Sequence, residues 1–144
     1  MRNIEIEMNQ AILDNRDWRK ANTEVIYNFH SGNSHVYLHG HEIAIVGDNF
    51  VKIFDGGYQS RTTKSRLNAI CARHCIQGEG IYQKAGEWFV KVIDPKSHDI
   101  CHHVPFVNGF VFADALRWLT LTNTIAISQW NSLFLIFTVA VVIM

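Results

Sequence analysis

The sequence predicts an α+β protein in which a small antiparallel sheet packs on one central helix. Two observations predict this class. Leu67, Ile70, Cys71 and His74 recur at the spacing of one helix face, whereas the segments before and after them are β-rich stretches divided by Gly and Asn turns. A third observation predicts an appendage, because all 13 basic and 13 acidic residues precede residue 118. An apolar C-terminal segment therefore follows a charged domain.

The composition limits the protein to one ordinary domain. The chain has 144 residues, of which 48% are hydrophobic and 18% charged, and its formal net charge is zero. These values exclude global disorder and a strongly basic nucleic-acid tail. The three cysteines form no regular framework and no secretory signal opens the chain, so reduced thiols in a cytoplasmic setting are expected.

The elements are predicted in chain order. Residues 1–21 are predicted to form an amphipathic helix, because Ile4, Met8 and Ile12 fall on one face. Residues 22–112 are predicted to form the α+β domain, and residues 113–144 an apolar C-terminal helix or tail. The predicted strands before the central helix are Thr23–His30, His35–Leu38, Glu42–Val46 and Phe50–Phe54. The central helix is predicted over Thr62–Cys75, with Thr62 as its N-cap. The strands Gly80–Lys84 and Glu87–Ile93 are predicted to follow, then an edge strand over Val104–Val107 and the start of a last helix over Phe110–Leu119.

Aromatic residues at alternating strand positions are predicted to fill the core between sheet and helix. They are Tyr37, Tyr82, Trp88 and Phe89.

The uncharged tail permits two interpretations. Ile125–Met144 has twenty residues, about the length that crosses a bilayer core, and Trp130 suits a membrane interface. The second interpretation is a helix or strand buried in a homo-oligomer. It is supported equally well, because the segment has five polar residues and its end is rich in β-branched residues. Both interpretations stay open at this point.

Short motifs in the middle of the chain resemble a small domain family of bacteriophage genomes. They are Leu38-His39-Gly40 followed by Ile43-Ala44, then Thr62-Thr63-x-x-Arg66-Leu67-Asn68, with Gly80–Gln83, Trp88, Pro105-Phe106 and Gly109 beyond them. The resemblance covers about residues 22–112 and implies a phage-encoded accessory protein in the cytoplasm of a host bacterium. It implies no particular activity.

A basic segment is the first candidate site. No acidic residue lies between Asp55 and Glu79, and the predicted central helix begins among cations, where its dipole favours anions. This segment is predicted to bind a phosphate or carboxylate through its cations, threonine hydroxyls and free backbone N–H groups. The tyrosine beside it could stack on a base. The alternative is a solvated basic face. The candidate binding residues are Tyr58, Arg61, Thr62, Thr63, Lys64, Arg66 and Arg73.

Histidines and cysteines form a second candidate set. A tetrahedral zinc site needs four such ligands, but no Cys-x-x-Cys pair is present and Cys71 belongs to the apolar helix face. No cofactor is expected, and zinc is the alternative. The candidate ligands are His39, His41, Cys71, Cys75, Cys101, His102 and His103.

These patterns together predict a non-enzymatic protein that binds an acidic target, either nucleic acid or a host protein. No nucleophile elbow, P-loop or dinucleotide fingerprint is present. Three alternatives stay open: a tail-anchored protein of the host inner membrane that interferes with an envelope or defence function, a zinc-dependent hydrolase or zinc-stabilised module, and a virion component.

Overall fold

The computed structural model of the protein describes residues 1–94, 97 and 99–113. The α+β class is confirmed, with two helices and nine strands among these residues. In chain order they are α1 (Asn3–Leu13), β1 (Trp18–Lys20), β2 (Thr23–Asn28), β3 (Asn33–Leu38), β4 (His41–Val46), β5 (Phe50–Ile53), α2 (Arg61–His74), β6 (Gly80–Lys84), β7 (Glu87–Ile93), β8 (Cys101–Pro105) and β9 (Phe110–Ala113).

The strands form two antiparallel sheets. The larger sheet has six strands in the order β1-β2-β3-β4-β5-β9, and the smaller has three in the order β6-β7-β8. β9 pairs with β5 although α2 and the whole smaller sheet separate them in the chain. Helix α2 and the smaller sheet are therefore inserted between two neighbouring strands of the larger sheet.

Two-residue turns connect consecutive strands where the chain can adopt positive φ. His39 and Gly40 have φ of 52° and 80° between β3 and β4, and Ala85 and Gly86 have 53° and 82° between β6 and β7. Positive φ at both central residues is the requirement of a type I′ turn, whose twist matches that of the strands. The Leu38-His39-Gly40 motif is thus explained by the geometry of a hairpin.

One continuous core joins both helices and both sheets. Helix α1 contributes Met8 and Ile12, α2 contributes Leu67 and Ile70, and the smaller sheet contributes Val90, all at most 5% exposed. The larger sheet contributes Val25, Val36, Leu38, Ile43, Ala44, Val46, Val51, Ile53 and Phe112. Because α1 lies in the same core as the rest, it is an integral part of the fold.

Several predicted boundaries were wrong. Helix α1 ends at Leu13, because Asn15 adopts φ 54° and the N–H of Arg16 donates to the carbonyl of Ala11 at 3.1 Å, which is a Schellman ending. The chain then forms β1, which was expected to be helical. Phe110–Ala113 is a strand rather than the start of a helix, and β8 begins at Cys101 instead of Val104.

Asn68 attaches the smaller sheet to α2. Its side-chain amide accepts from the N–H of Ile81 at 2.8 Å and donates to the carbonyl of Ile81 at 2.9 Å. The amide thus pairs with β6 as a neighbouring strand would, and it caps the edge of the sheet. Gly80 is required beside it, because a Cβ at that position would lie 2.5 Å from the Asn68 Oδ1.

Candidate functional site

Ser60, and not Thr62, caps the start of α2. The Ser60 Oγ accepts from the N–H of Thr63 at 3.0 Å and lies 2.8 Å from the Thr63 hydroxyl oxygen. Thr63 is buried by this arrangement, so its hydroxyl belongs to the cap. Thr62 is half-buried in the first turn. The threonine hydroxyls therefore contribute less to a ligand cradle than the sequence predicted.

Arg66 lies in the core and does not belong to the predicted basic surface. Its guanidinium Nη1 donates to the Glu5 Oε2 at 2.8 Å, and both side chains are less than 5% exposed. Its Nε donates to the Thr23 hydroxyl at 2.9 Å and its Nη2 to the Asn22 side chain at 3.3 Å. The charge of Arg66 is thus neutralised inside the protein, which removes it from contact with an external anion.

The sequence contained one signal for this pair. Glu5 falls on the same helix face as Met8 and Ile12, so an amphipathic α1 must bury a carboxylate. A buried carboxylate needs a cation and hydrogen bonds, because an isolated charge is too costly to desolvate. The partner lies on α2 and is 61 residues away in the chain.

The environment of Glu5 lowers its pKa. Burial raises the pKa of this carboxyl. Hydrogen bonds from the Ser65 hydroxyl, the Arg2 N–H and the Arg66 guanidinium together lower the pKa by more than burial raises it. A carboxyl whose pKa is lower in the folded chain stabilises the fold at pH values above its unfolded pKa. That stabilisation is lost as the pH falls through the folded pKa.

We therefore expect acid to destabilise the protein partly through Glu5. Between pH 6 and pH 3, the free energy of unfolding in urea should fall more steeply for the natural chain than for Glu5→Gln, because the unfolded carboxyl titrates at about 4.3. Glu87→Gln, which removes a carboxylate from the exposed start of β7, is the matched control for the loss of one negative charge. Equal slopes for Glu5→Gln and the natural chain would contradict the expectation.

Two of the predicted cations remain together at the start of α2. Arg61 is exposed, and in the described part of the chain it makes no ion pair. Lys64 donates to the Gln83 Oε1 at 2.9 Å, a neutral partner on β6. Tyr58, three residues before Arg61, is 76% exposed. Arg73 is exposed near the other end of the helix, about 18 Å along the axis from Arg61.

The clefts beside this surface do not suit a large anion. One small pocket, whose wall includes His39, His41 and Tyr58, is partly open and has a volume of about 60 Å³. A wider cleft of about 320 Å³ adjoins it, and its wall carries the carboxylates of Glu42 and Asp55. An acidic target would be repelled there, so the exposed cations are the better candidate for its binding surface.

The candidate zinc ligands occupy three separate places. Cys71 is buried on α2 and Cys75 is buried at its C-cap, while His39 and His41 lie at the β3–β4 turn. The remaining three are exposed on β8: Cys101, His102 and His103. Among the described residues, no group of three or more His, Cys, Asp or Glu side chains is arranged to hold a metal ion.

Two aromatic residues lie on the opposite face of the smaller sheet from the one predicted. Tyr82 and Phe89 are paired across β6 and β7, next to buried Ile81 and Trp88, whose side chains point into the core. Trp88 and Phe89 are neighbours in one strand, so they must face opposite sides of the sheet. This alternation was the signal that sequence reasoning missed.

The tail prediction, including Ile125–Met144, lies outside the described residues. Within residues 1–94, 97 and 99–113, no helix has the length and hydropathy of a membrane span.

A comparison with models of protein families matches the described domain. The family model described as Kyanoviridae Gp96 protein, from a family of bacteriophages, matches residues 1–113. No curated protein and no solved structure matches the chain.

Proposed function

The chain belongs to the Kyanoviridae Gp96 protein family, and from this premise we propose that it is a non-enzymatic phage accessory protein that binds an acidic target. The proposed binding surface is the cationic end of α2, defined as Tyr58, Arg61 and Lys64. Its expected location is the cytoplasm of the host bacterium.

One contrast between two arginines supports this proposal. Arg66 has a carboxylate partner that α1 supplies, whereas Arg61 stands at the first position of α2, and the first turn contains no acidic residue. Cations at this end oppose the helix dipole, at a cost of about 0.3–1 kcal/mol each at low salt. An anion bound between Arg61 and Lys64 offsets that cost.

The backbone at this end adds donors for the same ligand. The N–H of Lys64 is the first that donates to a carbonyl of the turn before it, Ser60, at 3.1 Å. The N–H groups of Arg61 and Thr62 precede it and lie outside the helical ladder. Backbone donors and a guanidinium that point at one place bind phosphate or carboxylate oxygens.

The surface is tested by removing its two charges together. The double variant Arg61→Ala/Lys64→Ala should bind a fluorescein-labelled twenty-nucleotide oligo-dT or a fluorescein-labelled poly-glutamate peptide at least tenfold more weakly, as measured by fluorescence anisotropy. If the bound probe is the nucleic acid, the slope of log K against log salt should fall in magnitude by about 1.4, since two phosphate contacts are lost and each contributes about 0.7 on a single strand.

A second double variant controls for net charge. Arg16→Ala/Lys20→Ala also removes one arginine and one lysine, but these residues already pair with Asp14 at 3.4 Å and with Glu7 at 2.8 Å. We expect its affinity to stay within about twofold of the natural chain, because screened surface charges act weakly at a distance. An equal loss in both double variants, or no binding of either probe by the natural chain, would overturn the proposal.

A further inference from the structure

The smaller sheet presents an aromatic surface on the side away from the core that the described residues form. Along β6 and β7, Ile81, Trp88 and Val90 point inward and are at most 4% exposed. Their neighbours Tyr82 and Phe89 point to the outer face and are half-buried. We define the outer face by the side chains that alternate with the buried ones: Tyr82 and Lys84 on β6, Glu87, Phe89 and Lys91 on β7, and Cys101, His103 and Pro105 on β8.

The two rings on the outer face are nearly parallel. The centroids of Tyr82 and Phe89 are 5.6 Å apart and their planes differ by 21°. His103 meets Tyr82 edge-on at 5.5 Å, and its Nδ1 lies 2.9 Å from the Tyr82 hydroxyl oxygen. This hydrogen bond holds the tyrosine ring in place, so little side-chain entropy is lost when a planar ligand stacks on it.

The charged side chains beside these rings sum to a formal charge of +1. Lys84, Lys91 and Glu87 share the outer face, with Glu87 opposite Lys84 in the hairpin, and Glu87 is the only acidic residue within the three strands. The hydrogen bond from Lys64 to Gln83 brings the cationic end of α2 to the same hairpin. The outer face and the cationic end of α2 therefore adjoin each other around the end of β6.

From this arrangement we propose that the acidic target is single-stranded nucleic acid, whose unpaired bases stack on Tyr82 and Phe89. Lys84 and Lys91 contact its phosphates, and the strand continues toward Arg61 and Lys64. The inference rests on the function proposed above and names the target class of that function, but it adds a separate set of residues.

The aromatic pair is what distinguishes nucleic acid from an acidic protein segment. Carboxylates need only cations and N–H donors, which the end of α2 supplies without the sheet. A nucleobase presents a flat face to any ring, and sheets or grooves that bind single strands combine such rings with lysine and arginine. A base paired in a duplex is not available for stacking, so duplex DNA is expected to bind more weakly.

The test uses the full chain and compares three labelled probes by fluorescence anisotropy at low salt. They are a twenty-nucleotide oligo-dT, a duplex of the same length, and a poly-glutamate peptide. The natural chain should prefer oligo-dT to both others. The double variant Tyr82→Leu/Phe89→Leu, which keeps apolar cover over the sheet, should lose about tenfold or more in affinity for oligo-dT per ring removed.

Two further variants separate stacking from folding. Tyr82→Phe keeps the ring and removes only the hydroxyl that contacts His103, so its affinity should stay within about threefold. Phe29→Leu removes another aromatic, 75% exposed and 4.2 Å from the His30 ring, and should leave the affinity unchanged. Urea unfolding of each variant checks that the sheet is intact.

The outcomes distinguish this inference from the function on which it rests. If Arg61→Ala/Lys64→Ala weakens oligo-dT binding but Tyr82→Leu/Phe89→Leu leaves it unchanged in a folded protein, the cationic surface stands and the stacking surface is rejected. Binding of poly-glutamate in preference to oligo-dT rejects the inference and keeps the proposed function. Absence of binding to all three probes overturns both.

Discussion

Replacement of Arg66 by Ala is expected to lower the free energy of unfolding by about 3–5 kcal/mol. The substitution leaves the Glu5 carboxylate in the core without its cation, which is the costly way to break a buried ion pair. Single domains are stable by only about 5–15 kcal/mol, so this loss is a large part of the total. Urea unfolding monitored by tryptophan fluorescence measures it.

Arg61 supplies a control of the same residue type in the same helix. Arg61→Ala should leave the free energy of unfolding unchanged or raise it by up to about 1 kcal/mol, because the side chain is exposed and opposes the helix dipole. A double variant, Glu5→Leu/Arg66→Met, should lose less stability than either Glu5→Ala or Arg66→Ala, since no unpaired charge remains. Equal stability of Arg66→Ala and Arg61→Ala would show that the ion pair is not what holds α1 to α2.

Replacement of Asn68 by Ala is expected to cost about 2–4 kcal/mol. Two hydrogen bonds to the backbone of Ile81 are lost together, and each half-buried group left unpaired costs about 1–3 kcal/mol. Asn68→Asp keeps an acceptor for the Ile81 N–H but no donor for its carbonyl, so it should show an intermediate loss. Thermal and urea unfolding of the three proteins measure this series.

The matched control for this series is Asn49→Ala, in the exposed turn between β4 and β5. It should stay within about 0.5 kcal/mol of the natural chain. In addition, the Asn68→Ala substitution should speed hydrogen exchange more in β6–β8 than in β2–β4, because the two Asn68–Ile81 hydrogen bonds attach only the smaller sheet to α2. An equal increase of the exchange rate in both sheets would contradict this role of Asn68.

The parts of the fold that local patterns specify were predictable. Helix α2 follows from the spacing of Leu67, Ile70 and His74, and the β3–β4 and β6–β7 hairpins follow from strand residues around a turn that contains glycine. The short strands β1 and β9 were not predicted, because they are stabilised by their partners β2 and β5. Such short strands carry little signal of their own.

The candidate site was predictable only in part, because charge runs do not show which cations are already paired. The sequence places Arg61, Lys64, Arg66 and Arg73 in one basic segment, and the fold separates them into an exposed start, a buried centre and a far end. Pairing of Arg66 depends on Glu5, which local reasoning assigned to a different element. The outer-face rings were missed for a simpler reason, since Trp88 and Phe89 were both assigned to the core although they are neighbours in one strand.

The pairing of β9 with β5 has a consequence for synthesis on the ribosome. Until residues 110–113 leave the exit tunnel, the nascent larger sheet ends at β5, with a row of unpaired N–H and carbonyl groups. Fifty-six residues separate the end of β5 from the start of β9. The pairing of β9 with β5 therefore requires that these residues are translated first and that the long connection between the two strands closes. During this interval a neighbouring nascent chain can add its own strand there, and the edge of β5 is where misassembly between copies would begin.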